Sequence, residues 1–231
     1  NADILNLQIE KNVLELDLTL ASSIQGMLLP KRFPEVPDLE VDACYQPAQK
    51  VGGDLYDVFS LGAGQIGIAI ADVSGKGIPA SLLMAICQSN LRHFAKKYNS
   101  PSRVLSELNR VMSEEMRKDM FVTVIYAIVD AGAGSVTIAR AGHELPLIGH
   151  RDAESGIFRA QEVGSEGMAL GMVPPDLFDT VIADKCIPFE SGDIFLLYTD
   201  GVTEAANEEG REFSTGRLAD VVKTLRERDA R

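Results

Sequence analysis

The feature that most constrains this chain is a pair of strand-like runs folded around Gly62-Ala63-Gly64. Ile66, Ile68 and Ile70 recur at every second position, the period of a half-buried strand. Glycines on both sides of Ala63 suit a tight hairpin turn. A hairpin centred on Ala63 places Asp54 opposite Asp72, each nine residues from the turn. Opposed residues lie about 4.5–5.5 Å apart, and two like charges there destabilise the ladder unless something compensates them. A divalent cation would do so. Asp72 shares parity with the three isoleucines, so an apolar face turns acidic only at its end. Ile194, Leu196 and Tyr198 share parity with Asp200 in the same way. Carboxylate oxygens are hard ligands that suit Mg2+ or Mn2+. Each aspartate alone reads first as a turn or helix cap, and Asp57 and Asp193 keep that reading. The three rim acids together favour a metal.

The rest of the chain supplies the layers. Over residues 3–29, Leu5, Ile9, Val13, Leu16, Leu20, Ile24 and Met27 step by three or four, the stripe of a helix. Leu7, Leu14, Leu18 and Leu28 widen it. Leu14–Leu20 also alternates as a strand would, but its residues are Leu with Glu and Asp rather than Val or Ile, so helix is preferred. Pro30 and Pro34 end it. A face so wide must pack on the domain itself or on a partner helix. Residues 39–73 read as three strands. Helices follow over 78–98, with Pro79 in its first turn, and 101–118, opened by Pro101-Ser102. Strands return at 121–130, 134–141 and 144–149, then near 178–187 and 193–199, before a final helix at about 214–229. The order β, αα, β, α predicts an α+β sandwich of two sheets with helices outside.

Composition narrows the function. Thirty-four acidic against 22 basic residues give a net charge of −12, which argues against a nucleic-acid surface. Arg226, Arg228 and Arg231 form only a weak basic cluster. Cys44, Cys87 and Cys186 are odd in number and widely spaced. They suggest free thiols in a reducing cytoplasm rather than a zinc site or a disulfide framework. No apolar run is long enough to span a membrane. The start at Asn1, directly in helical sequence, suggests a piece of a longer protein.

Several motifs mislead. Gly62-Ala63-Gly64-Gln65-Ile66-Gly67 matches G-x-G-x-x-G, but a dinucleotide site needs a helix after it, and a strand follows. Gly75-Lys76-Gly77 lacks the spacing of a phosphate-binding P-loop. His143 has no G-x-S-x-G elbow to serve and reads as structural. Met112, Met116 and Met120 read as core filler.

Gly-Gly-Asp-x-Tyr-Asp at 52–57, Asp-Val-Ser-Gly-Lys-Gly at 72–77, Ala-Gly-His at 141–143 and Tyr-Thr-Asp-Gly-Val at 198–202 together resemble the bacterial, SpoIIE/RsbU-like branch of the PPM phosphatases. Ile24-Gln25-Gly26-Met27-Leu28-Leu29-Pro30 resembles the end of the helix that precedes their catalytic domains. The resemblance runs from about residue 21 to about 217. It implies an αββα sandwich over residues 31–231, preceded by a linker or dimerisation helix at 1–30. It also implies a centre of two Mn2+ or Mg2+ ions in which Asp54, Asp72 and Asp200 are the acids and the Val73 carbonyl is a ligand. Activity would be direct hydrolysis of phosphoserine or phosphothreonine by a metal-bridging hydroxide. The substrate would be a regulator protein, often an anti-sigma-factor antagonist, under an upstream sensor. Such proteins add a last strand with an Asp-Asp-x-Thr-like motif, and the sequence ends at Arg231 without one. No arginine is placed by motif for phosphate; Lys50 and Lys76 are candidates by proximity. The competing expectation is a non-catalytic signalling or dimerisation module of the same fold with a weakened metal centre. A metal-dependent phosphodiesterase or nuclease is a weaker third, opposed by the acidic charge.

Overall fold

The computed structural model describes residues 2–48, 50–117, 119–152 and 155–229. The Arg226, Arg228 and Arg231 cluster lies outside the described residues and side chains. The first element is helix α1 (Ala2–Leu28). Among the described residues, 39–54 then contribute no strand beyond a single bridge between Val36 and Leu39. The three strands expected over 39–73 are therefore two, β1 (Leu55–Gly62) and β2 (Gln65–Val73). Pro34, Pro37 and Pro47 thread the stretch before them, and proline donates no ladder hydrogen bond.

The hairpin has the expected register, with Leu55 paired to Ala71 and Ser60 to Ile66. Its ladder slips by one residue between Ser60 and Gly62. Gly62, Ala63 and Gly64 take positive φ values of 87°, 51° and 79° to close the turn, the glycine-favoured region in which Ala63 is the exception. The G-x-G-x-x-G string is thus a hairpin turn.

β2 pairs with β3 (Val122–Asp130), β3 with β4 (Ser135–Ala141), and β4 with β7 (Lys185–Pro188), all antiparallel. β5 (Leu147–Arg151) lies between β6 (Phe158–Glu162) and β8 (Ile194–Leu196) in a second sheet of three strands. β3 is central in the larger sheet and buried on both faces, which explains its nearly continuous apolar run, Val-Thr-Val-Ile-Tyr-Ala-Ile-Val.

Helices α2 (Ile78–Ala95) and α3 (Pro101–Glu115) cover the outer face of the larger sheet. Met84, Leu91, Leu105 and Leu108 pack there on Leu55, Ala69, Ala71 and Val124. α3 starts at an N-cap, Ser100, whose hydroxyl accepts the Arg103 N–H at 3.2 Å. Val58, Ile66, Val129 and Ile138 from one sheet meet Ile148 and Phe195 from the other in a second core. Leu147 and Tyr198 meet Leu218 and Val222 of α6 (Thr215–Asp229) in a third. Three cores between four layers make the αββα sandwich expected from the sequence.

Further elements differ from expectation, among them β6, which no expected strand covers. The region near 178–187 is helix α4 (Pro175–Val181) followed by β7, because Pro174-Pro175 opens a helix more readily than a strand. The strand expected over 193–199 shrinks to β8, and Asp200 begins a one-turn helix, α5 (Asp200–Thr203). Met112 is fully buried and Met116 and Met120 pack against the same core.

Among the described residues, α1 joins the sandwich along its C-terminal half. Leu29 is buried, Gln88 of α2 donates to the Leu28 carbonyl at 2.8 Å, and Lys50 donates to the Thr19 hydroxyl at 3.1 Å. Its apolar stripe stays exposed, including Ile9, Val13, Leu16, Leu20, Ile24 and Met27. Of the two expected coverings, the domain itself is not the one observed.

Candidate metal centre

The β1–β2 register carries Asp54 and Asp72 to the position just beyond the Leu55–Ala71 pair. There their carboxyl groups share a hydrogen bond. Burial pushes the Asp72 carboxyl up to about 7, and the charges of Asp54 and Asp200 push the same way. Asp54 is raised as well, first by burial and then by Asp200. Nearby, the Tyr45 hydroxyl is raised by burial and by the Asp54 charge. Three acids from two distant parts of the sequence therefore share one electrostatic field, with no cationic side chain among the causes of either aspartate's shift.

The backbone beside this pair is shaped with little tolerance. A Cβ on Gly53 would lie 2.5 Å from the Val73 carbonyl oxygen and 3.0 Å from an Asp72 carboxylate oxygen. Any residue but glycine would displace the very oxygens that form the rim. The loop after Val73 is held by its neighbour strand: Ser74 N–H donates to the Phe121 carbonyl at 2.9 Å, and Phe121 N–H to the Ser74 hydroxyl at 2.7 Å.

Asp200 sits at the first turn of α5 and is exposed. His143 connects its segment to the rest. This histidine is buried, with Nδ1 at 2.9 Å from the Thr123 hydroxyl and Nε2 at 3.1 Å from the Tyr198 carbonyl. Thr123 is the β3 residue paired with Asp72. Burial lowers the imidazole pKa to about 4, so the ring is neutral at neutral pH.

Hard, mutually repelling carboxylates beside a glycine-bared carbonyl fit a divalent cation. Asp54, Asp72, Asp200 and the Val73 carbonyl are the groups that could hold one. Among the described residues, no three acidic, histidine or cysteine side chains close to common ligating distance. Asp54 and Asp72 touch, while Asp200 acts on both through its charge.

Other sequence candidates fall elsewhere. Asp57 is no turn cap: it lies within β1, fully buried, and accepts from Arg92 Nε at 2.5 Å and Nη2 at 2.6 Å. Asp193 is a turn residue, accepting the Glu190 N–H at 2.9 Å. Lys50 reaches α1, and Lys76 is exposed in the loop before α2. Sequence reasoning missed the Arg92 pairing, for which no local signal exists. It also missed Gln25, whose amide donates to the Gly52 carbonyl at 2.7 Å and accepts the Gly52 N–H at 3.2 Å. A polar residue in an apolar run was the available hint.

The layers and the acidic rim define a PP2C-type fold. The SiaA-PP2C domain of Pseudomonas aeruginosa superposes with a TM-score of 0.72 at 23% identity, over 93% of this chain and 83% of that one. The chain belongs to the Stage II sporulation protein E (SpoIIE) family, which matches residues 62–231; that stretch holds Asp72 and Asp200 and begins after Asp54. Phosphoserine phosphatase RsbU of Bacillus subtilis (strain 168) is 33% identical over 194 residues, 84% of this chain and 55% of RsbU. Protein IcfG of Synechocystis sp. (strain ATCC 27184 / PCC 6803 / Kazusa) is 29% identical over 242 residues, 93% of this chain and 37% of IcfG. The chain thus spans about half the length of these curated relatives, or less.

Proposed function

We propose that this chain is a metal-dependent protein serine/threonine phosphatase acting on a phosphorylated regulator protein, such as an anti-sigma-factor antagonist. The observation that carries this reading is the Asp54–Asp72 pair, placed opposite each other by the hairpin, with Asp200 in the same field. Relatives named phosphoserine phosphatases, RsbU and RsbP, support it. Mn2+ or Mg2+, two ions by the family's pattern, would be held by Asp54, Asp72, Asp200 and the Val73 carbonyl. Bound cations would lower the pKa of water and neutralise charge developing on phosphoryl oxygens. The chain's own part is to aim these oxygens. Gly53 lets the Val73 carbonyl approach, and the exposure of Asp200 leaves the rim open to a phosphorylated side chain on another protein.

The N-terminal helix would be a separate unit over 1–30, with the catalytic domain over 31–231. Its exposed apolar stripe supports pairing with a second copy, under an upstream sensor. No helix among the described residues is long and apolar enough to cross a membrane, and all three cysteines are free. The free thiols support a reducing, cytoplasmic setting.

The test is Mn2+-dependent phosphate release from p-nitrophenyl phosphate and from a phosphoserine protein, with Mn2+ binding followed by calorimetry. Release that disappears in Asp72→Asn is expected. Mn2+ binding without any turnover would overturn the enzyme reading. It would favour a non-catalytic module of the same fold.

A further inference from the structure

We infer that His143 is a positioning residue, setting where Asp200 sits relative to the Asp54–Asp72 pair. The inference rests on the metal-site reading above and deepens it. The three acids come from two separated stretches: the β1–β2 hairpin supplies two, and the turn after β8 supplies the third. β2 and β8 lie in different sheets, so no shared ladder fixes the distance between Asp72 and Asp200.

The His143 ring spans that gap. A carbonyl can only accept, so Nε2 carries the hydrogen and donates it to the Tyr198 carbonyl at 3.1 Å. In the neutral ring Nδ1 then accepts, and the Thr123 hydroxyl donates to it at 2.9 Å. Thr123 stands opposite Asp72 in the β2–β3 ladder, and Tyr198 precedes Asp200 by two residues. One side chain thereby links the two halves of the acidic rim. The backbone that carries the ring is held as well: the Arg140 guanidinium donates to the His143 carbonyl at 2.7 Å and to the Ser165 carbonyl at 2.9 Å. Only one carbon–carbon torsion pair orients an imidazole, so its two nitrogens define a distance that a longer, freer side chain would not. Partners of this kind behind a metal ligand typically change metal affinity by about 10- to 100-fold when removed.

The two nitrogens can be separated by substitution. Glutamine can place an N–H near the Nε2 position and keep the Tyr198 contact; asparagine can keep only the Thr123 contact. His143→Ala should weaken Mn2+ binding by about 10- to 100-fold and speed amide exchange over 199–203, with amides of α3 unchanged. His143→Gln should recover most of both effects, His143→Asn little, and Thr123→Val should show the smaller loss. Recovery by Asn rather than Gln would overturn the assignment, and so would unchanged exchange at 199–203 in His143→Ala. If the wild-type chain binds no Mn2+, the metal-site reading fails, and amide exchange in the Gln and Asn variants alone decides the role of His143. If His143→Ala does not fold, exchange and Mn2+ affinity in the Gln, Asn and Thr123→Val variants decide it.

Discussion

Asp54 and Asp57 are three residues apart and meet opposite surroundings. Asp54 stands at the rim among acids, its carboxyl raised by burial and by Asp200. Asp57 is fully buried against α2 and held in a two-point ion pair by Arg92. Strand parity produces the difference: an odd separation along an extended chain turns two side chains to opposite faces. One face looks into the space between the two sheets, with Asp54 at its edge, and the other into the helix layer. The same residue type therefore serves as a candidate ligand at one position and as a clamp between layers at the other. Residue type says little about an aspartate's role until the neighbouring charge is known.

The largest expected effect tests the rim. Asp54→Asn, Asp72→Asn and Asp200→Asn should each reduce Mn2+-stimulated phosphate release to background. Losses should exceed the roughly 10- to 100-fold seen when an outer partner of a metal ligand is removed. Far-ultraviolet circular dichroism should be unchanged, because none of the three removes a packed apolar group. Retained turnover in any one would break the comparison on its functional side.

On the clamp side, the effect should fall on stability and should be asymmetric. Arg92→Met leaves the fully buried Asp57 carboxylate unpaired and should cost about 3 kcal/mol or more. Asp57→Asn leaves an arginine whose side chain is 43% exposed, able to turn to water, and should cost only about 1–2 kcal/mol. Urea unfolding of the two variants measures the order. Asp57→Asn should also lose less activity than Asp54→Asn; equal loss would show that both carboxylates serve the same site.

A third effect belongs to the rim's support. The His143 pKa is about 4 in the folded chain, lowered chiefly by burial, against about 6.5 unfolded. Between those values the unfolded chain binds a proton that the folded chain does not. Stability from this group is therefore intact above about pH 6.5 and lost as pH falls toward 4, by up to about 3 kcal/mol. His143→Gln should flatten the acid limb of the stability–pH curve in that window. An unchanged limb would remove His143 as its cause.

How much of this was legible in the sequence depended on range. The hairpin register was readable because turn chemistry and two-residue alternation are local, and it brought Asp54 to Asp72 without further information. The αββα layering followed from element order. Asp200 is expected at the rim of a strand over 193–199 because Ile194, Leu196 and Tyr198 alternate, yet β8 ends at Leu196, where pairing with β5 stops. The partnership of Asp57 with Arg92, 35 positions away, has no periodic signature, since it depends on how α2 lies on the sheet. Pro174-Pro175, which opens α4, is a local helix-start signal that the expected strand near 178–187 leaves out of account.

The smallest effect sharpens the comparison most, because it should separate Asp54 from Asp57 without touching either. Gln25, near the end of α1, is buried and holds both polar groups of the Gly52 peptide. Gly52 lies two residues before Asp54 and on the far side of it from Asp57. Gln25→Ala removes two hydrogen bonds from a segment that β1 does not yet constrain, since the ladder begins at Leu55. Each such bond contributes about 1 kcal/mol, and water can reach part of the freed peptide because Gly52 is only half-buried. The net cost should be about 1 kcal/mol, below that of Arg92→Met. Mn2+ affinity should nevertheless fall several-fold, because the backbone entering Asp54 is loosened, while amide exchange from Val58 to Ser60, beyond the Asp57 clamp, stays unchanged. If exchange rises equally on both sides of Leu55, the clamp does not isolate the strand from the rim, and the two aspartates belong to one mechanical unit. If Mn2+ affinity is unchanged while Gly52 exchanges faster, the strand alone positions Asp54 and the contact with α1 is only a cover.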